Sequence, residues 1–209
     1  MDTYQETFDT WNKVANLYQE KFMDLDLYDD TYDIFCDEMN TENPAILEIG
    51  CGPGNITKYI INKRPKFKIE GIDISPNMIE LAKANNPTAK FKLMDCRDID
   101  KLQSNFDGII CGFCIPYLSE FDCSKLIRDC GNLLKDTGVL YISFVEGEYT
   151  KSGFQNASSG HRTYFYFHTL DSLTKTLKDN NFRVITILEK NFKKNVETEE
   201  IHTILLARK

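Results

Sequence analysis

The sequence predicts an α/β fold, a doubly wound and mostly parallel sheet that follows an N-terminal helical segment. Three observations predict it. Short apolar runs alternate with helical patterns from residue 45 onward, only helical periodicity precedes Pro44, and a glycine-rich loop directly follows the first apolar run. Strand–helix alternation of this kind implies right-handed βαβ units. A length of 209 residues fits one domain.

Residues 1–43 are expected to be helical. Asn43 ends this segment, because the residue before a proline avoids the helical conformation. Apolar side chains recur at spacings of three and four, which is typical of amphipathic helices. These side chains are Phe8, Trp11, Ala15, Tyr18, Phe22, Tyr28, Tyr32, Phe35 and Met39.

The apolar runs after Pro44 are short, as the strands of a buried sheet are. Ser75 followed by Pro76 indicates a helix start, since a capping hydroxyl precedes proline at the first helical position. The elements expected in order are strand AILEIG, a helix from about Asn55, strand FKIEGIDI, a helix from Pro76, strand KFKLM, strand FDGIICGF, a helix from Asp122 and strand VLYISFV.

The C-terminal part has a different pattern. Residues 146–161, EGEYTKSGFQNASSGH, are polar and without periodicity, which predicts a long loop. After it come the strand-like run RTYFYF, a helix starting near Thr169, and the strands FRVITIL and IHTILLAR.

Composition limits the class of protein. A formal net charge of −7 disfavours a non-specific nucleic-acid binder, and the one basic cluster, residues 63–68, is interpreted as a solvated loop. No run approaches the roughly 18 apolar residues of a membrane span, and the N-terminus is polar, unlike a signal sequence. Seven irregularly spaced cysteines indicate reduced thiols. We therefore expect a soluble, cytoplasmic protein that binds neither membrane nor nucleic acid.

The loop Gly50-Cys51-Gly52-Pro53-Gly54 stands where doubly wound sheets bind nucleotide-like ligands. Glycines allow a ligand to lie against the backbone. A dinucleotide loop needs the pattern G-x-G-x-x-G, but Asn55 occupies the position of its third glycine. A Walker loop is excluded because no Gly-Lys-Ser/Thr follows. The loop therefore fits a ligand other than a pyrophosphate.

The segment Glu48–Gly54 resembles the first motif of the class I S-adenosylmethionine-dependent methyltransferases, and further segments match in order. GIDIS places Asp73 nineteen residues past Gly54, and KLMDCRDI places Asp95 after the third strand. Three further segments resemble the fourth strand and the later helices and strands of this family: FDGIICGFCIPYLS, LLKDTGVLYIS and FYFHTLDSLTKTLKDNNFRVI. Most of residues 45–209 are covered.

The resemblance implies a Rossmann-like, seven-stranded sheet in the order 3-2-1-4-5-7-6, with strand seven antiparallel. It implies a single methyltransferase domain over residues 1–209, in which residues 1–43 form a helical lid and residues 44–209 the core. The alternative for residues 1–43 is a role in packing alone. The implied cofactor is S-adenosylmethionine, and the implied partner is a small-molecule acceptor. No oligomeric state is indicated.

The resemblance also implies the roles of individual residues. The family's residue at the Asp73 position holds the ribose hydroxyls, the one at Asp95 contacts the adenine, and Tyr18 of the lid is expected near the sulfonium. The cofactor-binding residues expected are Tyr18, Glu48, Gly50, Cys51, Gly52, Gly54, Asp73, Ile74, Met78, Asp95, Cys96, Arg97, Cys111 and Phe113.

The chemistry of the carboxylates fits this cofactor independently. An ionised Asp73 accepts two charge-assisted hydrogen bonds from a ribose diol, each worth about 1.5–3 kcal/mol. A neighbouring Asp95 repels a pyrophosphate but accepts from an adenine amino group. S-adenosylmethionine carries a sulfonium cation and no phosphate, so an acidic pocket suits it better than NAD.

The acceptor is expected against residues 146–167, the variable part of these enzymes. Tyr164 and Tyr166 alternate onto one face of the aromatic run. The residues expected to contact the acceptor are Phe113, Tyr117, His161, Arg162, Tyr164 and Tyr166, and the candidates for a catalytic role are His161 and Tyr117. Of the other histidines, His168 is interpreted as structural and His202 as a surface position.

Metal and redox chemistry are not expected. The C-x-x-C pair Cys111 and Cys114 lacks a second pair at zinc-ligand spacing and follows a strand instead of opening a helix. Two alternatives stay open for the function. One is a non-catalytic S-adenosylmethionine-binding module. The other is a nicotinamide-dependent oxidoreductase, which Asn55 and the absence of a Tyr-x-x-x-Lys signature disfavour.

Overall fold

A seven-stranded sheet with helices on both faces forms the centre of the computed structural model, which describes residues 3–156, 160–193 and 198–209. The α-helices are α1 Thr3–Lys13, α2 Ala15–Phe22, α3 Asp29–Asp37, α4 Asn55–Lys63, α5 Pro76–Asn85, α6 Glu120–Leu133 and α7 Leu170–Asp179. The strands are β1 Ala45–Ile49, β2 Lys68–Asp73, β3 Lys90–Leu93, β4 Phe106–Gly112, β5 Leu134–Val145, β6 Gly153–Asn156, β7 Arg162–Phe165, β8 Arg183–Lys193 and β9 Glu199–Arg208. Short 3₁₀ turns cover Cys96–Lys101, Ile115–Tyr117 and Tyr149–Lys151.

The strand order of the sheet is β3-β2-β1-β4-β5-β9-β8. Strands β1 to β5 are parallel, and β9 runs antiparallel between β5 and β8. Because β8 and β9 are the sixth and seventh strands of this sheet, the predicted order with an antiparallel seventh strand is confirmed. The order reverses between β1 and β4, so a crevice opens at the carboxyl ends of these two strands.

Both faces of the sheet are covered, which explains the nearly continuous apolar runs of its strands. Neighbouring residues of β1 point to opposite faces. Leu47 packs in a cluster with Leu126 of α6 and Leu173 of α7, whereas Ile46 packs with Phe35 of α3. Full burial of each such side chain stabilises the fold by about 1.5–3 kcal/mol.

The N-terminal segment is helical as predicted and forms the three helices α1, α2 and α3. Phe35 of α3 is fully buried on the sheet. A Cβ at Gly108 of β4 would lie 2.7 Å from both Phe35 Cζ and Met39 Cε, so a side chain there would force these neighbours to shift. Helix α1 lies against β7, where the Thr10 hydroxyl donates to the carbonyl of Arg162 at 2.8 Å.

The predicted loop over residues 146–161 is wrong in part, because β6 lies within it. Strand β6 pairs antiparallel with β7 in a separate two-stranded sheet. Phe154 of β6 packs edge-on against Tyr164 at 5.1 Å between ring centroids, and the Arg162 guanidinium lies 4.0 Å from the Phe154 ring. Such cross-strand contacts stabilise a strand of only four residues, which is too short to show a period in the sequence. Residues 157–159 of the predicted loop lie outside the described residues.

The basic cluster at residues 63–68 is paired with the N-terminal segment. Lys63 contacts Asp33, and Arg64 contacts Asp37 at 2.7 Å. These pairs are largely exposed, so solvent screens them and they contribute little to stability. They offset the positive charge at the edge of the sheet opposite the crevice.

Within the described residues, no helix combines the length and the apolar character required to cross a membrane.

Candidate active site

A cavity of about 360 Å³ lies in the crevice, between the glycine loop and the N-terminal helices. Pockets for small ligands range from about 300 to 1,000 Å³, so this cavity has a suitable size. Most of the predicted cofactor residues line it: Tyr18, Glu48, Gly50, Gly52, Asp73, Ile74, Met78, Asp95, Cys96 and Phe113. Cys51, Gly54, Arg97 and Cys111 are not among its lining residues.

The glycine loop brings the backbone close to the cavity. Gly50, Gly52 and Gly54 have φ angles of +68°, +53° and +81°, which L side chains rarely adopt. A Cβ at Gly52 would lie 3.6 Å from Tyr18 Cε1. A Cβ at Gly54 would lie 2.4 Å from the Asn86 amide nitrogen, so the third glycine allows close packing on α5 and does not face the cavity.

Asp73 ends β2 and connects the glycine loop to the next helix. Its Oδ2 accepts from the Gly52 N–H at 2.9 Å, and its Oδ1 accepts from the Ser75 N–H at 2.8 Å. Burial raises the pKa of this carboxyl, and the backbone donors oppose the rise. A carboxylate has about four lone-pair sites. Asp73 therefore retains acceptor capacity for two further donors in the cavity.

Glu48 is a buried carboxyl in the cavity wall, with 1 % of its surface exposed. One oxygen accepts from the Thr57 hydroxyl. The other, Oε1, has no hydrogen-bond partner within the described residues. Burial raises the pKa of Glu48 to about 8, against the Thr57 hydrogen bond and with a further contribution from Asp73. An oxygen in this position requires a donor from a ligand or from water.

Asp95 and Arg97 connect the cavity to α1. Asp95 accepts from both the Nε and the Nη2 of Arg97, the latter at 2.6 Å. The guanidinium lies over Tyr4 at 4.2 Å and near Phe8 at 5.5 Å from the ring centroids. Arg97 thus orients Asp95 and packs against α1, whereas the sequence predicted a direct cofactor contact.

The seven cysteines are free thiols, and the described residues hold no cluster suited to a metal ion. Cys51 packs in a small apolar cluster with Ile79 and Ala82, which takes its side chain away from the cavity. Cys111 belongs to the apolar cluster of the core. Cys96 and Cys114 reach the cavity wall.

Aromatic side chains of α1 and α2 form the roof of the cavity. Tyr18 contacts Trp11 at 5.6 Å and Phe22 at 4.6 Å between ring centroids. Trp11 also lies edge-on to Tyr117 at 5.4 Å, and its indole nitrogen is buried without a partner among the described residues. Burial raises the pKa of Tyr18 to about 12, with contributions from Asp73 and Glu48. The roof therefore spans the glycine loop and the end of β4.

Phe113 follows β4 in a left-handed conformation, with a φ of +53°. A residue with a Cβ adopts this conformation at a cost of about 1–2 kcal/mol. The Phe113 N–H donates to the Ser143 hydroxyl at 2.9 Å, which holds the turn. The ring consequently faces the cavity, 5.3 Å from Tyr28 and 4.7 Å from His202.

His202 is a cavity residue, so its prediction as a surface position is wrong. Its side chain is buried, and the Tyr28 hydroxyl lies 2.6 Å from its Nδ1. Phe192 stacks on the imidazole at 4.8 Å. At this end of β9 the apolar Ile201 is exposed, whereas His202 lies on the face covered by Tyr28, Phe113 and Phe192. His168, in contrast, is buried beside the Leu118 carbonyl, which agrees with a structural role.

The predicted acceptor residues of β7 turn the opposite way. Tyr164 and Tyr166 contact each other at 4.7 Å, and Arg162 pairs with Glu6 of α1 at 2.5 Å. His161 is exposed. His161, Arg162, Tyr164 and Tyr166 are absent from the cavity lining, whereas Phe165 of the alternate face and the predicted Phe113 and Tyr117 belong to it.

Comparison with known proteins gives a family model described as a methyltransferase domain, which matches residues 46–138. The malonyl-[acyl-carrier protein] O-methyltransferase of Bacillus anthracis is 29 % identical over 167 residues, covering 75 % of this chain and 55 % of the relative. The demethylmenaquinone methyltransferase of Thermotoga maritima is 29 % identical over 105 residues, covering 50 % of this chain and 44 % of the relative. The chain thus spans about half the length of these curated relatives.

Solved structures share the fold. The magnesium protoporphyrin IX methyltransferase from Synechocystis with bound S-adenosylmethionine has a TM-score of 0.74 at 17 % identity, covering 100 % of this chain and 98 % of that one. An S-adenosylmethionine-dependent methyltransferase from Clostridium acetobutylicum has a TM-score of 0.72 at 17 % identity, covering 95 % and 98 %. The Rossmann-like fold predicted from the sequence is confirmed.

Proposed function

We propose that this chain, a member of the class I S-adenosylmethionine-dependent methyltransferases, transfers the methyl group of S-adenosylmethionine to a small-molecule acceptor. The observation that carries the proposal is one cavity that joins the glycine loop, the Asp73 carboxylate and the buried Glu48 carboxyl under an aromatic roof. Matches to methyltransferases in both sequence and structure support it.

The residues present fit this cofactor. Asp73 has lone pairs for the two ribose hydroxyls, and Asp95 lies in the wall at the end of β3, in reach of an adenine amino group. Glu48 Oε1 needs a donor, which the ammonium of the methionine part provides. The carboxyl groups in the cavity wall, Glu48, Asp73, Asp95 and Glu200, outnumber the lysines, of which the lining contains Lys21. This charge favours a cationic cofactor over a pyrophosphate.

S-adenosylmethionine, when bound, supplies a methyl group that the sulfonium already activates. The residues of this chain therefore bind and orient the two reactants and exclude water from them. Alignment of two reactants in one site is worth about 7–11 kcal/mol of the barrier. Tyr18 and Trp11 close the cavity above the glycine loop, and Phe113 and Tyr117 form the wall toward the acceptor. We keep the proposal that residues 1–43 act as a lid on the core of residues 44–209.

The acceptor contacts are revised accordingly. Phe113 and Tyr117 remain in the proposal, and Phe165 joins them. His161, Arg162, Tyr164 and Tyr166 leave it, because their side chains lie outside the cavity. A cytoplasmic location also remains part of the proposal, supported by free thiols at all seven cysteines.

A methyl-transfer screen across a metabolite library tests the function. We expect formation of S-adenosylhomocysteine with at least one small acceptor. Cofactor binding without turnover on metabolites, proteins or nucleic acids would favour the non-catalytic module. Turnover on a protein or nucleic acid alone would overturn the small-molecule acceptor.

A further inference from the structure

Three polar side chains at the far end of the cavity are not required by the cofactor. The Tyr28 hydroxyl lies 2.6 Å from His202 Nδ1, and His202 Nε2 lies 3.8 Å from Glu200 Oε2. All three residues line the same cavity as Asp73 and Glu48. The hydroxyl and the imidazole are hydrogen-bonded, and the carboxylate lies beyond hydrogen-bond distance but close enough to act on the imidazole by its charge.

The hydrogen bond defines the direction in which a proton can move. A phenolic hydroxyl is the donor when Nδ1 carries a lone pair, which places the imidazole proton on Nε2, toward Glu200. Tyr28 Oη then keeps lone pairs for a second donor. Burial raises the pKa of Tyr28, and Tyr18 and Glu200 raise it further. Tyr28 is therefore a neutral hydroxyl, able to pass a proton on to His202.

The surroundings of this end are aromatic. Phe113 lies 4.7 Å from the imidazole on one side, and Phe192 stacks on it at 4.8 Å. Phe22 of the roof lies 6.5 Å from Phe192 between ring centroids. Aromatic rings attract flat apolar rings by offset or edge-on packing. A ligand ring packed against Phe113 would therefore lie next to the Tyr28 hydroxyl.

We infer that Tyr28, His202 and Glu200 form a proton relay that serves a single-ring aromatic acceptor with a hydroxyl group. The inference rests on the proposed function and adds to it a catalytic residue, Tyr28, with His202 as the proton acceptor. The acceptor oxygen forms a bond to the methyl carbon while the carbon–sulfur bond breaks and sulfur keeps the electron pair. The acceptor proton moves to Tyr28 Oη as the Tyr28 proton moves to His202 Nδ1. Glu200 stabilises the resulting imidazolium.

Two acceptors of similar size test the relay. 4-Methoxyphenol is a weak acid that needs a base, whereas 4-nitrophenol is mostly ionised at about pH 8, where the rates are compared, and needs none. Removal of a general base lowers rates by about 10²–10⁴-fold. We expect Tyr28→Phe and His202→Gln to lower kcat/KM at least about 100-fold for 4-methoxyphenol and less than about 10-fold for 4-nitrophenol. The amide oxygen of His202→Gln still accepts from Tyr28 but takes up no proton.

Two further variants complete the test. Glu200 is partly exposed, so Glu200→Gln is expected to fold and to lower the rate on 4-methoxyphenol about 10-fold, even if a core variant unfolds. Tyr164→Phe removes a hydroxyl outside the cavity and is expected to leave both rates unchanged. An equal loss on both phenols would overturn the relay, and so would unchanged rates in all the cavity variants.

A wild-type protein that binds S-adenosylmethionine in a calorimeter but methylates neither phenol would overturn the acceptor class and leave the proposed function standing. A protein that does not bind S-adenosylmethionine would contradict the proposed function itself, and the relay would fail with it.

Discussion

The two ends of the cavity are built in different ways. The end at Asp73 and Glu48 consists of strand termini and a glycine loop, held by backbone hydrogen bonds within one βαβ unit. The end at Phe113 and His202 consists of side chains from α2, α3, β8 and β9, which are distant in sequence. We infer from this difference that the sheet determines which cofactor binds, whereas the roof and the last strands determine which acceptor binds.

The largest expected effect concerns Asp73. Asp73→Ala removes two acceptors for the ribose and leaves the Gly52 and Ser75 N–H groups without their carboxylate. Hydrogen bonds to a charged group are worth about 1.5–3 kcal/mol each, so affinity for S-adenosylmethionine should fall at least about 10-fold by calorimetry. Asp73→Asn, which keeps one acceptor oxygen, should lose less. Unchanged affinity in the alanine variant would refute the ribose assignment.

Glu48 makes the cofactor end sensitive to pH. Its pKa is about 8 in the fold, against an ordinary value of 4.5. The folded state therefore binds more protons between these values, and the stability that Glu48 contributes is complete below about pH 4.5 and is lost as pH rises to about 8. The loss is at most about 1.4 kcal/mol per pH unit.

Urea denaturation from pH 5 to pH 8 checks this sign. The wild-type protein should lose stability relative to Glu48→Gln as pH rises. Because an ammonium favours the ionised carboxyl, binding of S-adenosylmethionine at pH 7 should release up to one proton, seen as a binding heat that depends on the buffer. Equal pH slopes in both proteins would contradict the buried protonated carboxyl.

A smaller effect is expected at the contact between the cofactor end and α1. Arg97→Lys loses the bidentate pair with Asp95 and the stacking on Tyr4, so the free energy of unfolding should fall by about 1–2 kcal/mol and the affinity for cofactor several-fold. Arg128, whose nearest carboxylate contact is 3.4 Å, offers a matched control. Arg128→Lys should change stability by less than about 0.5 kcal/mol in the same urea titration. Equal changes in the two variants would show that the contact of Arg97 with α1 adds no stability.

No kinetic effect is expected from His161 and Tyr166, which flank β7. His161→Ala and Tyr166→Phe should leave kcat and KM for the acceptor within about two-fold of wild type, because neither side chain reaches the cavity. A large change in KM would return this segment to the acceptor site.

The cofactor end was predictable because strand termini and loop glycines are local in sequence. Asp73 stands at the end of an apolar run in the sequence, and parallel strands bring such ends to one edge of the sheet. Helices α4 and α5 begin where predicted, at Asn55 and Pro76. Ser75 caps the second of these, with its hydroxyl accepting from the Met78 N–H at 3.2 Å.

The acceptor end was not predictable from local pattern. His202 alternates with its neighbours as a surface residue would, and it is buried by Tyr28, Phe113 and Phe192, which only the tertiary fold brings to it. The face of β7 depends on where α1 lies, since the Tyr164 N–H donates to the Thr7 hydroxyl at 2.9 Å. Contacts across more than 150 residues leave no periodic signal in the chain.

Calorimetric titration of the wild-type protein with S-adenosylmethionine and with NAD tests the central claim most directly. The structure has an acidic cavity with a free Glu48 oxygen and a glycine loop that lacks the dinucleotide pattern. We predict one site that binds S-adenosylmethionine and S-adenosylhomocysteine, and no heat of binding with NAD. Binding of NAD without binding of S-adenosylmethionine would contradict the account.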